Sequence, residues 1–408
     1  MSSGLVVGGG LSGSAAAVRL AREGWKVTLL ERGPRLGGKV SSYRRGGRLL
    51  DNGQHVATRA CTAFRAFLEE VGAADRMRWQ PRMRIPFASP GGRITVLERG
   101  MAGLMGFDLL SWGERLGLGR VLSASAGPAE GTFADWLSAH GQGAAAVSRF
   151  WDPLAYAVCN ASSAEIGADA GLWTVREGLR GAPDALDLGI PAVPQSDLFA
   201  PGVESYLKAR EGGVRLGAVV EGVREGEVRL RGGEVLNPDG IVVAVPWEEA
   251  EALLGLPSSG LRPGGILSVS VLLDRPVLPE GEEFVALVDC AAQWAFAKPP
   301  DGRLLSVVVS GANRHMDRPG GDLVAMVLAS LRACLPRMEG ARILDAVVMK
   351  EKRATFLPAP GSAACRRVPG ASGIPRVALA GAWTSTGWPA TMEGAVRAGN
   401  AAADHLLH

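Results

Sequence analysis

The chain has 408 residues, with 44 Lys plus Arg against 41 Asp plus Glu and a net charge of +3. Such a length buries a large core, expected in two domains, and the near-balance of charge excludes a nucleic-acid footprint. Five scattered cysteines without a C-x-x-C pair argue against a disulfide framework and a zinc site, and fit a reducing, cytoplasmic setting. No apolar run approaches the ~18 residues of a membrane span. The first strand is expected to begin by Gly4, which leaves no room for a leader. The mean hydropathy of +0.12 suits a greasy substrate or a peripheral membrane contact, and a large core explains it equally well.

Residues 5–7 form a short apolar run that reads as a buried strand. Gly8, Gly10 and Gly13 follow in G-x-G-x-x-G spacing. A helix then turns Ala16, Ala17, Leu20 and Ala21 toward a sheet, Gly24 stops it, and a second strand over 26–30 ends in Glu31. This strand–turn–helix–strand–acid context points to a dinucleotide. Gly8 allows the tight turn, Gly10 lets backbone approach a pyrophosphate, and Gly13 lets helix and strand close up. The helix N-terminus offers N–H groups and the positive end of its dipole. Glu31 suits an unphosphorylated ribose, hence FAD or NAD over NADP.

Next comes Arg32, then the loop Leu36-Gly37-Gly38-Lys39, which suits a segment passing a diphosphate and equally a plain surface turn. A strand end runs into the polar turn Asp51-Asn52-Gly53-Gln54-His55, and an amphipathic helix is expected over 62–71. In this order the three motifs resemble the FAD-dependent amine oxidase and phytoene desaturase superfamily. The D-N-G-Q-H form is similar to that of the bacterial hydroxysqualene dehydroxylase family. The resemblance implies an α/β fold: a Rossmann-like, glutathione-reductase-like FAD domain with an interleaved substrate domain of mixed β-sheet plus helices. It also implies FAD contacts at Gly8, Gly10, Gly13, Glu31, Arg32, Gly37, Gly38, Lys39, Gly53, Gln54 and His55. The superfamily usually has Arg at Lys39; Lys keeps the charge and loses the fork.

A hairpin is expected over 83–97, turning at Ser89-Pro90-Gly91-Gly92. From 101 to about 210 the signals are mostly helical. The apolar stretch containing Leu104, Phe107, Trp112, Leu116 and Val121 reads as a core face, or else as a lipid entrance or membrane contact. The segment 150–160 resembles the dehydroxylase helix with a W-[DE]-P-L start and a terminal Asn, which implies substrate contacts at Trp151 and Asn160. Asp152 before Pro153 reads as a helix N-cap or, if buried, as a protonated carboxyl. A Pro-containing link over 189–198 also resembles that family, and a helix follows over 196–210.

A strand–turn–strand over 212–223 resembles the segment that returns to the FAD domain, with Val220 backbone on adenine. Residues 239–246 read as a buried parallel strand ended by Pro246. Strands over 266–273, 283–288, 293–297 and 304–310 suit a sheet flooring a substrate cavity. A helix over 323–334 and a strand over 343–351 follow. The end, a strand into Gly381, a loop through Trp388-Pro389-Ala390-Thr391-Met392 and a helix over 393–407, resembles the superfamily's C-terminal flavin motif. That implies cofactor contacts at Gly381, Ala382, Pro389, Thr391 and Met392, and a substrate contact at Trp388. Small residues are expected to let this helix lie close to the cofactor, its N-terminus at the flavin's pyrimidine edge. Ala382 stands where the family has Asp, which predicts looser FAD binding.

The expected division is FAD-binding over 1–82, 201–262 and 356–408, and substrate-binding over 83–200 and 263–355. The resemblance implies reductive dehydroxylation of hydroxysqualene to squalene, with a hydrophobic isoprenoid substrate and no metal. A proton for the leaving hydroxyl would come from His55, with Asp152 second. The rivals are a carotenoid or phytoene-type desaturase and a non-catalytic prenyl-lipid carrier of the same fold.

Overall fold

The chain folds, in a computed structural model describing residues 1–127, 129–179 and 182–408, around a five-stranded parallel sheet. Its order is Gly213–Leu216, Lys26–Glu31, Ser3–Val7, Gly240–Val243, Val377–Leu379. Parallel strands are covered on both faces and so read as continuous apolar runs; all four residues of Gly240–Val243 are buried. One face packs on the helices Leu11–Arg22, Thr62–Glu70, Ala200–Lys208 and Met392–Leu407, joined in one core by Val6, Leu20, Phe64, Val203 and Val396. The other face meets the antiparallel strands Val220–Arg224 and Glu227–Leu230 and the helix Trp247–Leu254 through Val223, Val228 and Trp247.

The second sheet has seven strands, ordered Ile343–Phe356, Pro263–Leu273, Leu304–Val309, Trp294–Lys298, Phe284–Leu287, Arg84–Ser89, Arg93–Glu98. Period-2 alternation gives it two faces. Leu267, Val269, Val271, Val307 and Val309 pack on the helix Gly320–Cys334. Alternate residues such as Ser268, Ser306, Phe296 and Lys298 take the opposite face, as the register Ser268–Val308, Phe296–Ser306 and Lys298–Leu304 requires. At the hairpin end, Phe87 and Ala286 join the helical layer through Phe107, Leu110 and Trp151.

Four local readings differ from expectation. The helix expected from 196 begins at Ala200, after a 3-10 turn at Gln195–Asp197. Pro201 sits in its first turn, where a missing N–H costs nothing. The Pro-containing link includes a strand, Leu188–Pro191, pairing with both Ala57–Thr58 and Met77–Trp79. Asp152 does not cap a helix: the chain already runs as a π turn over Val147–Trp151, so no helix starts there, and the carboxylate accepts from Ser163 N at 2.8 Å. The small residues of Met392–Leu407 serve helix packing, because a Cβ on Gly399 would lie 2.2 Å from Ser12 O of the helix Leu11–Arg22. All five cysteines are free.

Candidate cofactor and substrate site

The fingerprint turn is built by backbone contact. Gly8 has φ +105°, and a Cβ there would lie 2.5 Å from Ala244 O. A Cβ on Gly13 would lie 1.9 Å from Gly8 O, so only glycine lets the helix Leu11–Arg22 approach. That helix starts at Gly10 with no side-chain cap, and Ser12 Oγ and Ser14 Oγ in its first turns are buried without a partner. The loop after the second strand lies on this turn: Gly37 N donates to Gly9 O at 2.9 Å, and a Cβ on Gly38 would lie 2.9 Å from Gly10 Cα. Glu31 accepts from Gly9 N at 2.8 Å and Gly33 N at 2.6 Å, which holds its carboxylate at the strand end. Ala218 N donates to Glu31 O, so the segment leading to Val220 runs beside the end of that strand. An uncapped helix end, orphaned hydroxyls, close glycines and a fixed acid together fit a dinucleotide.

The C-terminal loop completes this edge. Gly381 has φ +145°, and Thr391 caps the helix Met392–Leu407, its Oγ1 accepting from Gly394 N at 3.2 Å. Pro389 O accepts from Thr391 N at 2.8 Å, and the Trp388 ring lies edge-on to Trp173 at 4.7 Å. Where the family has Asp, Ala382 offers only its carbonyl, and Arg366 gathers that carbonyl with those of Trp383, Thr384 and Trp388. Burial pushes the Arg366 guanidinium down to about 10. The loop is thus held from outside, by a residue with no local signal in the sequence.

Other expected contacts fall elsewhere. Arg32 pairs with Glu249 at 3.1 Å on the surface. Lys39 Nζ donates to Arg353 O and Ala354 O, tying the loop to the strand Ile343–Phe356 instead of standing free for a diphosphate. Trp151 is fully buried, its Nε1 donating to Gln142 Oε1 at 2.8 Å and its ring edge-on to Phe133 and Phe150, so the structure packs it into the helical core. Asn160 ends its helix at φ 56° and spends its amide on Thr355 Oγ1, Gly265 O and Gly311 N, a clasp between the helix and the seven-stranded sheet. Such donors and acceptors are already matched and have nothing left for a ligand.

The 51–55 turn is the centre of a polar network. Asn52 N donates to Ser41 O, joining the turn to the loop on the fingerprint. Asp51 accepts from Ser42 Oγ at 2.6 Å and Gln195 N at 3.2 Å, and its other oxygen lies 2.7 Å from Lys298 Nζ. Lys298 also donates to Gln54 Oε1. Gln195 Nε2 donates to Gly53 O at 2.9 Å, which fixes the amide so that Oε1 accepts from His55 Nδ1 at 2.9 Å. Burial lowers the His55 pKa below the usual histidine value, against the Gln195 bond that raises it. His55 at neutral pH is therefore an imidazole whose one proton is spent on Gln195, with Nε2 an acceptor. Asp152 lies in the helical layer, and no hydrogen bond joins it to this turn among the described residues.

Sequence reasoning missed Lys298, Gln195 and Glu393. Lys298 was legible only as the end of the alternation Trp294, Phe296, Lys298. Glu393 is fully buried, and accepts from Ala63 N at 3.0 Å, Phe64 N at 2.7 Å and Arg397 Nε at 2.7 Å.

Comparison with known proteins places these features. The family described as "Flavin containing amine oxidoreductase" matches residues 11–407. A hydroxysqualene dehydroxylase of Rhodopseudomonas palustris is 31% identical over 431 aligned residues, covering 98% of this chain and 97% of that protein. A 15-cis-phytoene desaturase of Capsicum annuum is 23% identical, over 99% of this chain and 77% of its own. Among solved structures, an oxidoreductase from Methanosarcina mazei superposes with TM-score 0.77 at 15% identity, covering 97% of this chain and 98% of its own, a likeness of fold.

Proposed function

Because this chain belongs to the flavin-containing amine oxidoreductase family and is an FAD-dependent oxidoreductase, we propose that it acts on a long isoprenoid, removing the hydroxyl of hydroxysqualene by reduction to give squalene. The observation that carries the reading is the near-full-length likeness to the Rhodopseudomonas palustris protein of that activity. The aromatic and aliphatic face of the seven-stranded sheet, with Phe284, Trp294 and Phe296 packed among Val56, Ile85 and Ile266, supports it as a place for hydrocarbon.

The bound reduced flavin would supply hydride to the carbon and the proton with which the hydroxyl leaves as water. The chain's own groups position the rest: Glu31 takes the ribose hydroxyls, the fingerprint N–H groups face the pyrophosphate, and the turn at Gly381 and the cap at Thr391 set the C-terminal loop. The sheet face keeps water from adding back to the allylic carbon as its hydroxyl leaves.

The test is to load the protein with FAD, reduce it without oxygen, and add hydroxysqualene. Reoxidation with squalene formed is the expected result. A flavin that stays reduced, in a protein whose oxidised form is instead bleached by polyenes, moves the reading to a desaturase. A protein that cannot take up FAD moves it to a carrier.

This reading includes a peripheral contact with the cytoplasmic face of a membrane. It rests on Met101, Trp112 and Leu116, exposed at 65%, 66% and 67% beside a helical layer whose Phe107, Leu110 and Val121 are buried. No helix among the described residues is long and apolar enough to cross a membrane. Flotation with anionic vesicles is expected; protein that stays below the vesicles refutes the contact.

A further inference from the structure

Along the strand Trp294–Lys298, alternate residues Trp294, Phe296 and Lys298 share one face. Phe296 stacks on Phe284 at 5.6 Å and lies 6.1 Å from Trp294, so two rings line up behind the ammonium. From Lys298 to Trp294 the strand runs about 13 Å. The face carries unspent polar atoms. An ammonium has three donors, and the structure gives Lys298 two acceptors, Asp51 Oδ2 and Gln54 Oε1. Trp294 Nε1 and Ser268 Oγ are buried without partners, and both lie opposite Val308 in the register. Buried polar atoms left unpaired on one face point to a ligand or ordered water there.

The place matters as much as the chemistry. Lys298 belongs to the seven-stranded sheet, yet its partners belong to the 51–55 turn. That turn is bonded through Asn52 N and Ser41 O to the loop lying on the fingerprint glycines. The ammonium therefore sits where the substrate sheet meets the cofactor cradle, side chain 21% exposed.

Resting on the reading above of an isoprenoid alcohol, we propose that Lys298, held by Asp51 and Gln54, is the seat of the substrate's hydroxyl oxygen, with Phe296, Phe284 and Trp294 taking the carbon chain beside it. The third ammonium N–H donates to the hydroxyl oxygen, and the hydroxyl can donate in turn to Gln54 Oε1. A hydrocarbon leaves that donor unmatched, so the seat selects an alcohol over the parent hydrocarbon. The Asp51 carboxylate balances the ammonium and fixes its direction.

The test is equilibrium binding of hydroxysqualene and of squalene to the oxidised, FAD-loaded protein, read by tryptophan fluorescence, where no reductant permits turnover. The wild type is expected to prefer the alcohol. Lys298→Met is expected to weaken alcohol binding by about ten- to a hundredfold and leave squalene binding alone, while the bound-flavin spectrum reports an intact fold. Phe296→Ala is expected to weaken both ligands alike. A Lys298→Met protein that keeps the preference overturns the seat. If that variant does not hold flavin, Lys298→Gln, which keeps a neutral donor, must show a reduced preference, and an unchanged one overturns the seat equally. A wild type that binds squalene and hydroxysqualene without distinction also overturns the seat, with the reductive activity judged separately. A wild type that binds neither ligand refutes the functional reading and the seat with it.

Discussion

Replacing Glu393 by Ala should destabilise the folded protein without touching the cofactor turn. The helix Thr62–Glu70 has no side-chain cap of its own, since the Cys61 side chain at its N-cap bonds no N–H of the first turn and that turn carries no acid. Glu393 supplies the missing acceptor from the far end of the chain, taking both Ala63 N–H and Phe64 N–H. Losing a cap costs about 1–2 kcal/mol, and leaving buried donors of a charged acceptor unmatched adds about 1.5–3 kcal/mol. Arg397, with its side chain 38% exposed, rehydrates and adds little. The sum is about 2.5–5 kcal/mol, with a midpoint near the lower end for breaking a buried pair. At about 2.1 cal/mol/K per residue over 408 residues, that lowers Tm by about 4 °C. Calorimetry on the FAD-loaded protein is the assay. Glu393→Gln, which keeps one oxygen but turns an amide N–H toward a donor, should lie between the two. A shift below about 1 °C for Glu393→Ala would refute the reasoning.

Gly13→Ala should purify without flavin, because its Cβ would stand 1.9 Å from Gly8 O and must push the fingerprint turn open; a full flavin content sinks that reading. His55 gives a pH dependence. Its folded pKa is lowered from 6.5, so the fold favours the neutral ring. The contribution is present above about pH 6.5 and lost as pH falls below it. Between pH 7.5 and 5 (assay values, roughly spanning that transition), Tm should fall more for wild type than for His55→Gln; parallel curves contradict the buried neutral ring. Ala382→Asp should tighten FAD about tenfold, one hydrogen bond's worth, in a titration of apoprotein, and an unchanged dissociation constant refutes the expected loosening at Ala382.

The fingerprint was legible because everything it needs lies within one strand–turn–helix, where glycine spacing and backbone geometry are the same statement. The strands of the seven-stranded sheet were legible for a similar reason, since alternation is local. What the sequence hid is long-range. Lys298 meets Asp51 across 247 positions, and Arg366 meets the loop after Gly381 by folding back on it. Trp151 was misread because a large aromatic beside a family-like motif looks the same whether it lines a cavity or fills a core; only its total burial decides. Asp152 was misread because a proline after an acid signals a helix start, and here a π turn had already begun the helix.

The parallel sheet that carries the cofactor is stitched from segments far apart in the chain, and this sets the order in which the nascent protein can fold. Ser3 and Asp239, which share four hydrogen bonds where neighbouring strands begin, are 236 residues apart. At roughly 5–20 residues per second, the first strand waits about 12–47 s on the ribosome for that neighbour. Val377–Leu379, which closes the far edge, emerges later still. During that interval the apolar strand Ser3–Val7 has only Lys26–Glu31 to pair with, an open edge of the kind that chaperones cover. The nucleotide cradle is thus begun by one segment of the chain and finished by another made far later, and the cofactor meets a complete cradle only once both have emerged.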